Sequence, residues 1–498
     1  MQEVEISPMD PERFRSVLTP DRFDEFQRGA RDAREMLHGR VVWNVNSTAR
    51  GGGVVELLRP QLAYARGAGV DARWVVIEGP PAFFTLTKRI HNRLHGIPGD
   101  GGPLDDVARN VYDQTLAENL AELDGRMHEG DVVIVHDPQP AGLIPALKRA
   151  GATVIWRCHV GIESPNDLVR DTWDFLRPYI APADAYVFSR EAFVWEGLDR
   201  GTIAVIHPSI DPLAPKNVDL EPDVVPAVLR TSGLLAGEAP PIGRVFPRTD
   251  GTPGRIERRA HVVEDAPVPE GVPVVLQVSR WDALKDPLGV IRGFAEHVPA
   301  DSGAHLVYAG PSTEAVADDP EGVAVLRESI AFRESLPTEQ RTRIHLASLP
   351  MEDPDENAIM VNALQRHATV VLQKSLAEGF GLTVAEAMWK ARPVVASRIG
   401  GIQEQIVHGE TGILLDDPRD LAAFGAQIAR LLANPDEAQR MGRRARERVR
   451  DRFTTVRNLL DYVALIKRLI DRTPGGRRAE RDLPEAGGAI AAEASVRR

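Results

Sequence analysis

From residue 40 onward, short runs of nearly continuous aliphatic residues alternate with longer stretches whose apolar positions recur at helical spacing. RVVWNVN, residues 40 to 46, passes through STARGGG into VVELLRPQLAYARGAG, which reads as strand, glycine loop and helix. The same alternation recurs at DARWVVIEG, at GDVVIVHDPQP followed by AGLIPALKRAG, at ATVIWRCHVG and at DAYVFS. Runs apolar at every position, instead of every second one, fit parallel strands covered on both faces. The first half is therefore expected to be a doubly wound α/β sheet. Alternation resumes at PVVLQVSRWD, AHLVYAGP, RIHLASLP, ATVVLQKS, RPVVASRIGG and TGILLDDP, and predicts a second sheet of the same class.

The flanking regions follow other patterns. Residues 1–38 interleave charges with Phe14, Val17, Leu18, Phe23, Phe26 and Met36, as amphipathic helices broken near Pro20 would, and read as a helical brace. The first sheet domain is expected over 39–210, and 211–270 reads as a linker and irregular insertion because Pro, Gly and charge dominate it without periodicity. The second sheet domain is expected over 271–453, followed by a C-terminal helix over 454–471 whose return toward the first half is left open. The tail 472–498 is low in large apolar residues and is expected to be disordered.

Composition narrows the class. A chain of 498 residues suits two cores, and no apolar run approaches the roughly 18 residues a membrane helix needs. The N-terminus has no basic start leading into an apolar stretch, so the cytoplasm is the expected compartment. Cys158, the single cysteine, closes an apolar run and reads as core packing. A net charge of −12 argues against general nucleic-acid binding but leaves room for local basic pockets.

Ligands of open α/β sheets bind beyond the C-terminal strand ends, so the motifs there carry the candidate chemistry. Gly51, Gly52 and Gly53 let backbone approach a ligand at a helix start, although a plain tight turn accounts for them equally well. SRWDALKD places Arg280 and Lys285 where two cations can hold a diphosphate, or simply be solvated. EGFGLTVAE offers loop N–H groups and two carboxylates, Glu378 and Glu386, with a helix expected to begin near Thr383; first-turn and surface roles compete with binding. His159 in WRCHVG, and Asp137 and Gln139 in HDPQP, occupy first-half strand ends, with structural and turn roles as alternatives. No H-E-x-x-H, G-x-S-x-G or Walker motif occurs.

Taken in order from about Arg40 to Phe453, these motifs and IGGIQEQIVHGETGILL resemble the retaining GT-B glycosyltransferases of glycosyltransferase family four, whose signature is two glutamates with seven residues between them. NSTARGGGVVELL, DARWVVIEG, VIVHDPQP, WRCHVG, IDPLAPKN and EGFGLTVAEAMWK are similar to the trehalose-forming members, which join a nucleotide-activated glucose to free glucose. The stretch from about Leu229 to Glu270 is longer than that resemblance leads one to expect. The resemblance implies two Rossmann-like domains facing across a cleft and ADP-, UDP- or GDP-glucose as donor, with neither metal nor cofactor required. It implies that Arg280 and Lys285 hold the diphosphate, Glu386 the ribose and Glu378 the glucose. Backbone N–H groups of Phe380, Gly381, Leu382 and Thr383 would face sugar and phosphates, Gly52 and Gly53 would close over them, and His159 would stand by the donor sugar. Glu378, His159, Arg280 and Lys285 are thus the expected catalytic set, with Asp137 and Gln139 toward the acceptor. The expected partners are small sugars and nucleotide sugars, and a homodimer is left open. Three alternatives remain at this point: a trehalose phosphorylase of the same fold, a relative with another acceptor, and a non-catalytic sugar-binding protein.

Overall fold

The computed structural model describes residues 1–49, 53–123, 125–239, 245–249, 251–313 and 320–472. The first half is a seven-stranded sheet built from β1 (Gln2–Val4), β2 (Val42–Asn46), β3 (Ala72–Val76), β4 (Val132–His136), β5 (Thr153–Cys158), β6 (Ala185–Phe188) and β7 (Ile203–Val205). Their spatial order is β1-β3-β2-β4-β5-β6-β7, and all neighbours run parallel except the β1 edge. The order reverses direction between β2 and β4.

Period-two alternation divides these strands between two cores. Trp43, Val45, Val133, Val135, Val154 and Trp156 face one, whereas Val42, Trp74, Val132, Ile134, Ile155 and Val187 face the other. Asn44 and Asn46 interrupt the apolar run of β2 but are satisfied: His136 Nε2 lies 3.0 Å from Asn44 Oδ1, and Trp74 Nε1 donates to Asn46 Oδ1 at 2.8 Å.

The second sheet comprises β10 (His261–Val263), β11 (Val274–Val278), β12 (His305–Pro311), β13 (Ile344–Leu349), β14 (Val370–Gln373), β15 (Val394–Ser397) and β16 (Ile413–Leu415). Its order is β10-β13-β12-β11-β14-β15-β16, parallel except for the β10 edge, with the reversal between β11 and β14. Both halves therefore place their switch point, where crossovers leave in opposite directions, at the middle of the sheet.

Two stretches differ from the sequence expectation. Residues 1–38 are not purely helical: β1 extends the first sheet before the helix Pro20–Met36 begins. Phe14, Phe23 and Phe26 of this region are buried with Tyr64 and Val456. Nor is the insertion expected within 211–270 irregular throughout. It supplies the helix Val224–Thr231, a hairpin of β8 (Val245–Pro247) and β9 (Pro253–Arg255), and β10. Val228, Leu229, Phe246, Ile256 and Val268 join the second core. Elements of three to eight residues are too short to impose a period.

The chain crosses between halves twice. Ile210 on the outward crossing bridges in parallel to Thr454 on the return, with Ile210 N–H donating to Phe453 O at 2.8 Å and Thr455 N–H to Ile210 O at 2.9 Å. The returning helix, Thr455–Arg472, buries Leu465, Ile466, Leu469 and Ile470 in a first-half core. The rest of the tail lies outside the described residues. Among those described, no helix is long and apolar enough to cross a membrane.

Candidate active site

At the first switch point, the loop after β2 leads into the helix Gly53–Gly67, while Asp137 and His159 follow β4 and β5 directly. Gly51 and Gly52 lie outside the described residues. Asp137 has φ 64°, an uncommon conformation for a residue with a side chain, and its Oδ1 accepts the His159 N–H at 2.7 Å. This bond clips the ends of β4 and β5 together and aims the two following loops. Gln139 is half-buried two residues further on.

Behind them, His136 Nδ1 and His159 Nε2 are 3.1 Å apart, with the rings stacked at 5.4 Å. With Asn44 Oδ1 accepting from His136 Nε2–H, His136 Nδ1 becomes the acceptor for His159 Nε2–H. Both rings are then neutral. Burial, with Arg157 nearby, pushes His136 down to about 3. Burial, then Arg157 and His136, holds His159 well below the ordinary histidine value. Burial also raises Asp137 to about 6, against the opposing effects of the His159 N–H and Arg157.

At the second switch point the chemistry is ionic. The loops after β11 and β14 are joined by a backbone bond, Leu376 N–H to Leu284 O at 2.7 Å, and by two ion pairs of opposite sense. Lys285 Nζ donates to Glu378 Oε2 at 2.6 Å, and the fully buried Lys374 pairs with Asp286. Asp286 has φ 52° and caps the helix Pro287–His297 by accepting from Gly289 N–H at 3.1 Å. Gln373, the last residue of β14, donates to Glu378 Oε2 at 3.4 Å and accepts from Thr383 Oγ1 at 2.9 Å. Arg280 stands apart: its side chain is 68% exposed and, among the described residues, reaches only Asp282, at 2.9 Å.

The helix Leu382–Trp389 starts one residue earlier than the sequence reading placed it, after Gly381 at φ 80°, and no side chain caps it. Its first N–H groups are accordingly suited to an anion. Beneath the loop, Gly400 has φ 47°, and a Cβ there would stand 1.8 Å from Glu378 O. The Gly401 N–H donates to Gly379 O at 2.7 Å, and the buried Gln405 amide donates to Phe380 O at 2.6 Å. The loop is thus supported residue by residue from IGGIQEQ. Glu386, one turn into the helix, is 3% exposed; Oε1 lies 3.5 Å from Lys216 Nζ, and Oε2 is buried without a hydrogen-bond partner among the described residues.

The two ends face each other. A Cβ on Gly53 would lie 3.9 Å from Leu382 Cδ1. Arg190 spans the cleft, pairing with Glu163 and, at 3.2 Å, with Glu404, while Gln403 donates to Glu163 at 2.8 Å. The structure therefore gathers Lys285, Phe380, Gly381, Leu382, Thr383, Glu378 and Glu386 around one loop, pairs Asp137 with His159 on the opposite side of the cleft, and leaves Arg280 at the rim. Sequence reasoning gave no role to Lys216, Lys374, Gln373 or His136. The signal available was their position, at or immediately after the ends of strands or in the quoted crossover motif IDPLAPKN.

Two doubly wound halves facing across a cleft, with an anion-suited loop on one and polar strand ends on the other, define a GT-B glycosyltransferase. Residues 44–195 match the family described as trehalose synthase, N-terminal domain, and residues 260–448 match glycosyl transferases group 1. The chain belongs to the trehalose synthase family of glycosyltransferases. It is 36% identical over 460 residues to a trehalose synthase of Rubrobacter xylanophilus, covering 92% of this chain and 96% of that one. It is 27% identical over 452 residues to a trehalose phosphorylase of Grifola frondosa, covering 86% of this chain but 57% of the other. Among solved structures, the α,α-trehalose-phosphate synthase (UDP-forming) of Burkholderia vietnamiensis has the same fold, with TM-score 0.61, 15% identity, and coverage of 87% and 98%.

Proposed function

We propose that the protein is a retaining glucosyltransferase that moves glucose from a nucleoside-diphosphate glucose to free glucose, forming trehalose reversibly. The observation that carries this reading is Glu386: a buried carboxylate with one oxygen unpartnered among the described residues, beside a helix start that no described side chain caps. An unpartnered buried acceptor is costly, and ribose hydroxyls of a nucleotide would satisfy it. Inorganic phosphate brings no such hydroxyl pair, which favours a nucleotide donor over phosphorolysis.

In this reading Lys285 and the N–H groups at Leu382 and Thr383 hold the diphosphate, and Glu378 accepts from glucose hydroxyls. Negative charge grows on the diphosphate as the glycosidic bond breaks, so these donors stabilise the transition state more than the ground state. The acceptor hydroxyl attacks the anomeric carbon on the face the diphosphate leaves, and its proton passes to the departing phosphate oxygen. The neutral His159, held against Asp137 and His136, lines the sugar side without adding charge. Glu378 and Glu386 serve opposite ends of the donor and are not the acid and nucleophile of a glycosidase, which flank one scissile bond. Closure excludes water, which otherwise diverts transfer into hydrolysis.

The test is a panel of ADP-, UDP- and GDP-glucose with free glucose, the product identified by chromatography and its anomeric configuration by NMR. Trehalose is the expected product. Glucose 1-phosphate from trehalose and phosphate, with no product from any nucleotide sugar, would overturn the reading.

A further inference from the structure

The crossover between the halves carries a lysine that touches both phosphate-side helices. Lys216 Nζ lies 3.3 and 3.4 Å from the carboxylate oxygens of Glu56, in the first turn of the helix Gly53–Gly67. It also lies 3.5 Å from Glu386 Oε1, in the helix Leu382–Trp389. Each helix starts at a switch point, so a single ammonium joins the two across the cleft.

Lys216 belongs structurally to the second half. Asn362 Nδ2 donates to Pro215 O at 2.8 Å and Val218 O at 2.9 Å. Asn217 O accepts from Trp389 Nε1 at 3.1 Å, and Asn217 Oδ1 accepts from Lys390 Nζ at 3.0 Å. The backbone on both sides of Lys216 is thereby riveted to the second half, through Asn362 of the helix Pro354–His367 and through Trp389 and Lys390 at the end of the helix that carries Glu386. The contact with Glu56 is the one that spans the cleft. Any opening there breaks the Glu56 pair and leaves the Glu386 pair intact.

Burial works against the Lys216 ammonium, but Glu386 and then Glu56 outweigh it and raise its pKa above the ordinary lysine value. It therefore remains a cation shared between two carboxylates. The side chain is 26% exposed and Glu56 is 55% exposed, so the Glu56 arm is open to screening by salt, whereas Glu386 at 4% is not.

We propose that Lys216 is a positioning residue that couples closure of the cleft to the grip of Glu386 on the donor. With the cleft open, its charge rests on Glu386 alone. As the helix Gly53–Gly67 arrives, Glu56 pairs with the same ammonium, which ties the closed position of that helix to the carboxylate that accepts from the donor. Lys216 itself need not touch the donor. The inference rests on the proposed nucleotide-sugar reading, and the experiment separates the two. Absence of trehalose formation by the wild type defeats that reading, whereas the inference is decided by comparing variants of an active enzyme.

The test compares wild type, Lys216→Met, Lys216→Arg, Glu56→Gln and the Lys216→Met/Glu56→Gln double variant. Donor and acceptor KM and kcat are measured at low and high salt, with circular dichroism to verify folding. Lys216→Met is expected to raise donor KM about tenfold and lower kcat, with acceptor KM within about twofold of wild type. Lys216→Arg should restore most of the loss. Glu56→Gln, at an exposed position that does not threaten folding, should raise donor KM about threefold and reduce its salt dependence, in keeping with a partly exposed ion pair. In the double variant Glu56→Gln should add nothing. Wild-type donor KM in both single variants, equal losses for donor and acceptor, or additive effects in the double variant would each overturn the coupling. Should Lys216→Met fail to fold, the Glu56→Gln and Lys216→Arg arms decide it by the same readouts.

Discussion

The two switch points share an architecture and differ in how they keep polar groups in place. At the first, the polar groups form a neutral chain: Asn44, His136 and His159 hand on one hydrogen bond after another, with both imidazoles kept uncharged by burial. At the second, order comes from full charges in crossed pairs, Lys285 with Glu378 and Asp286 with Lys374. A neutral network imposes direction with little field, which suits a neutral sugar. Crossed ion pairs keep cations close to a site without leaving them unpaired when it is empty, which suits a diphosphate. The sheets themselves also differ: the first runs 2-1-3-4-5-6 when its parallel strands are renumbered, the second 3-2-1-4-5-6. Chemistry at the strand ends, more than topology, distinguishes the halves.

If charge is what the second half contributes, its loss should be felt most there. Lys285→Ala is expected to lower kcat roughly a hundredfold, about 3 kcal/mol, as for loss of one donor to a developing anion. Arg280→Ala, at the exposed rim, should cost no more than about tenfold, as expected for a charge largely screened by water. Steady-state kinetics with the preferred donor check both, and equal losses would show that exposure is a poor guide at this site.

Next comes Gly400→Ala, which forces a Cβ against Glu378 O from a left-handed backbone. Displacing the loop should lower kcat/KM by tens of fold, short of the hundredfold that a misplacement of about 1 Å can reach. The same change in IGGIQEQ should leave the first half's histidine resonances unmoved by NMR.

A smaller contrast separates the glutamates. Glu386→Ala should weaken nucleoside-diphosphate binding about tenfold by calorimetry, the value of one to two hydrogen bonds to a charged group, whereas Glu378→Ala should chiefly raise the KM for the whole nucleotide sugar. Wild-type behaviour in both would remove the assignment.

The smallest effect concerns the neutral network. His136 titrates at 6.5 when unfolded and is pushed down to about 3 in the fold, so its contribution to stability is complete above pH 6.5 and is lost as pH falls toward 3. Asp137 acts oppositely, since its raised pKa of about 6 favours the fold below pH 3.8 and loses that effect as pH rises through 6. With His159 lowered as well, the histidines outweigh the carboxylate and the acid limb should fall. Melting curves of His136→Gln should be flatter across pH 6.5 to 3; an unchanged slope would place the acid sensitivity elsewhere.

What could be read from the sequence follows the same division. Val132 to His136 and Val370 to Gln373 are buried at every position, so their composition alone marks them as central parallel strands. The loop Glu378 to Glu386 was visible because glycine and carboxylate spacing within one segment is a local property. The residues that complete the site were not. Lys216 joins Glu56 to Glu386 across 160 and 170 positions, and only the docking of the crossover brings them together. His136 sits inside an apolar strand and shows its partner only once β4 and β5 are aligned. The stretch 211–270 was opaque for another reason: β8, β9 and β10 are three residues each, and their burial comes from the neighbours they meet.

The paired crossings at Ile210 and Thr454 have a mechanical consequence. Two chain segments clipped side by side behave as a ribbon, where one alone would behave as a thread. A ribbon bends readily about a single line and resists torsion, so one half can swing against the other without swivelling. Re-forming the cleft then involves one angle in place of three. The returning helix in this way spares the enzyme an orientational search at every turnover.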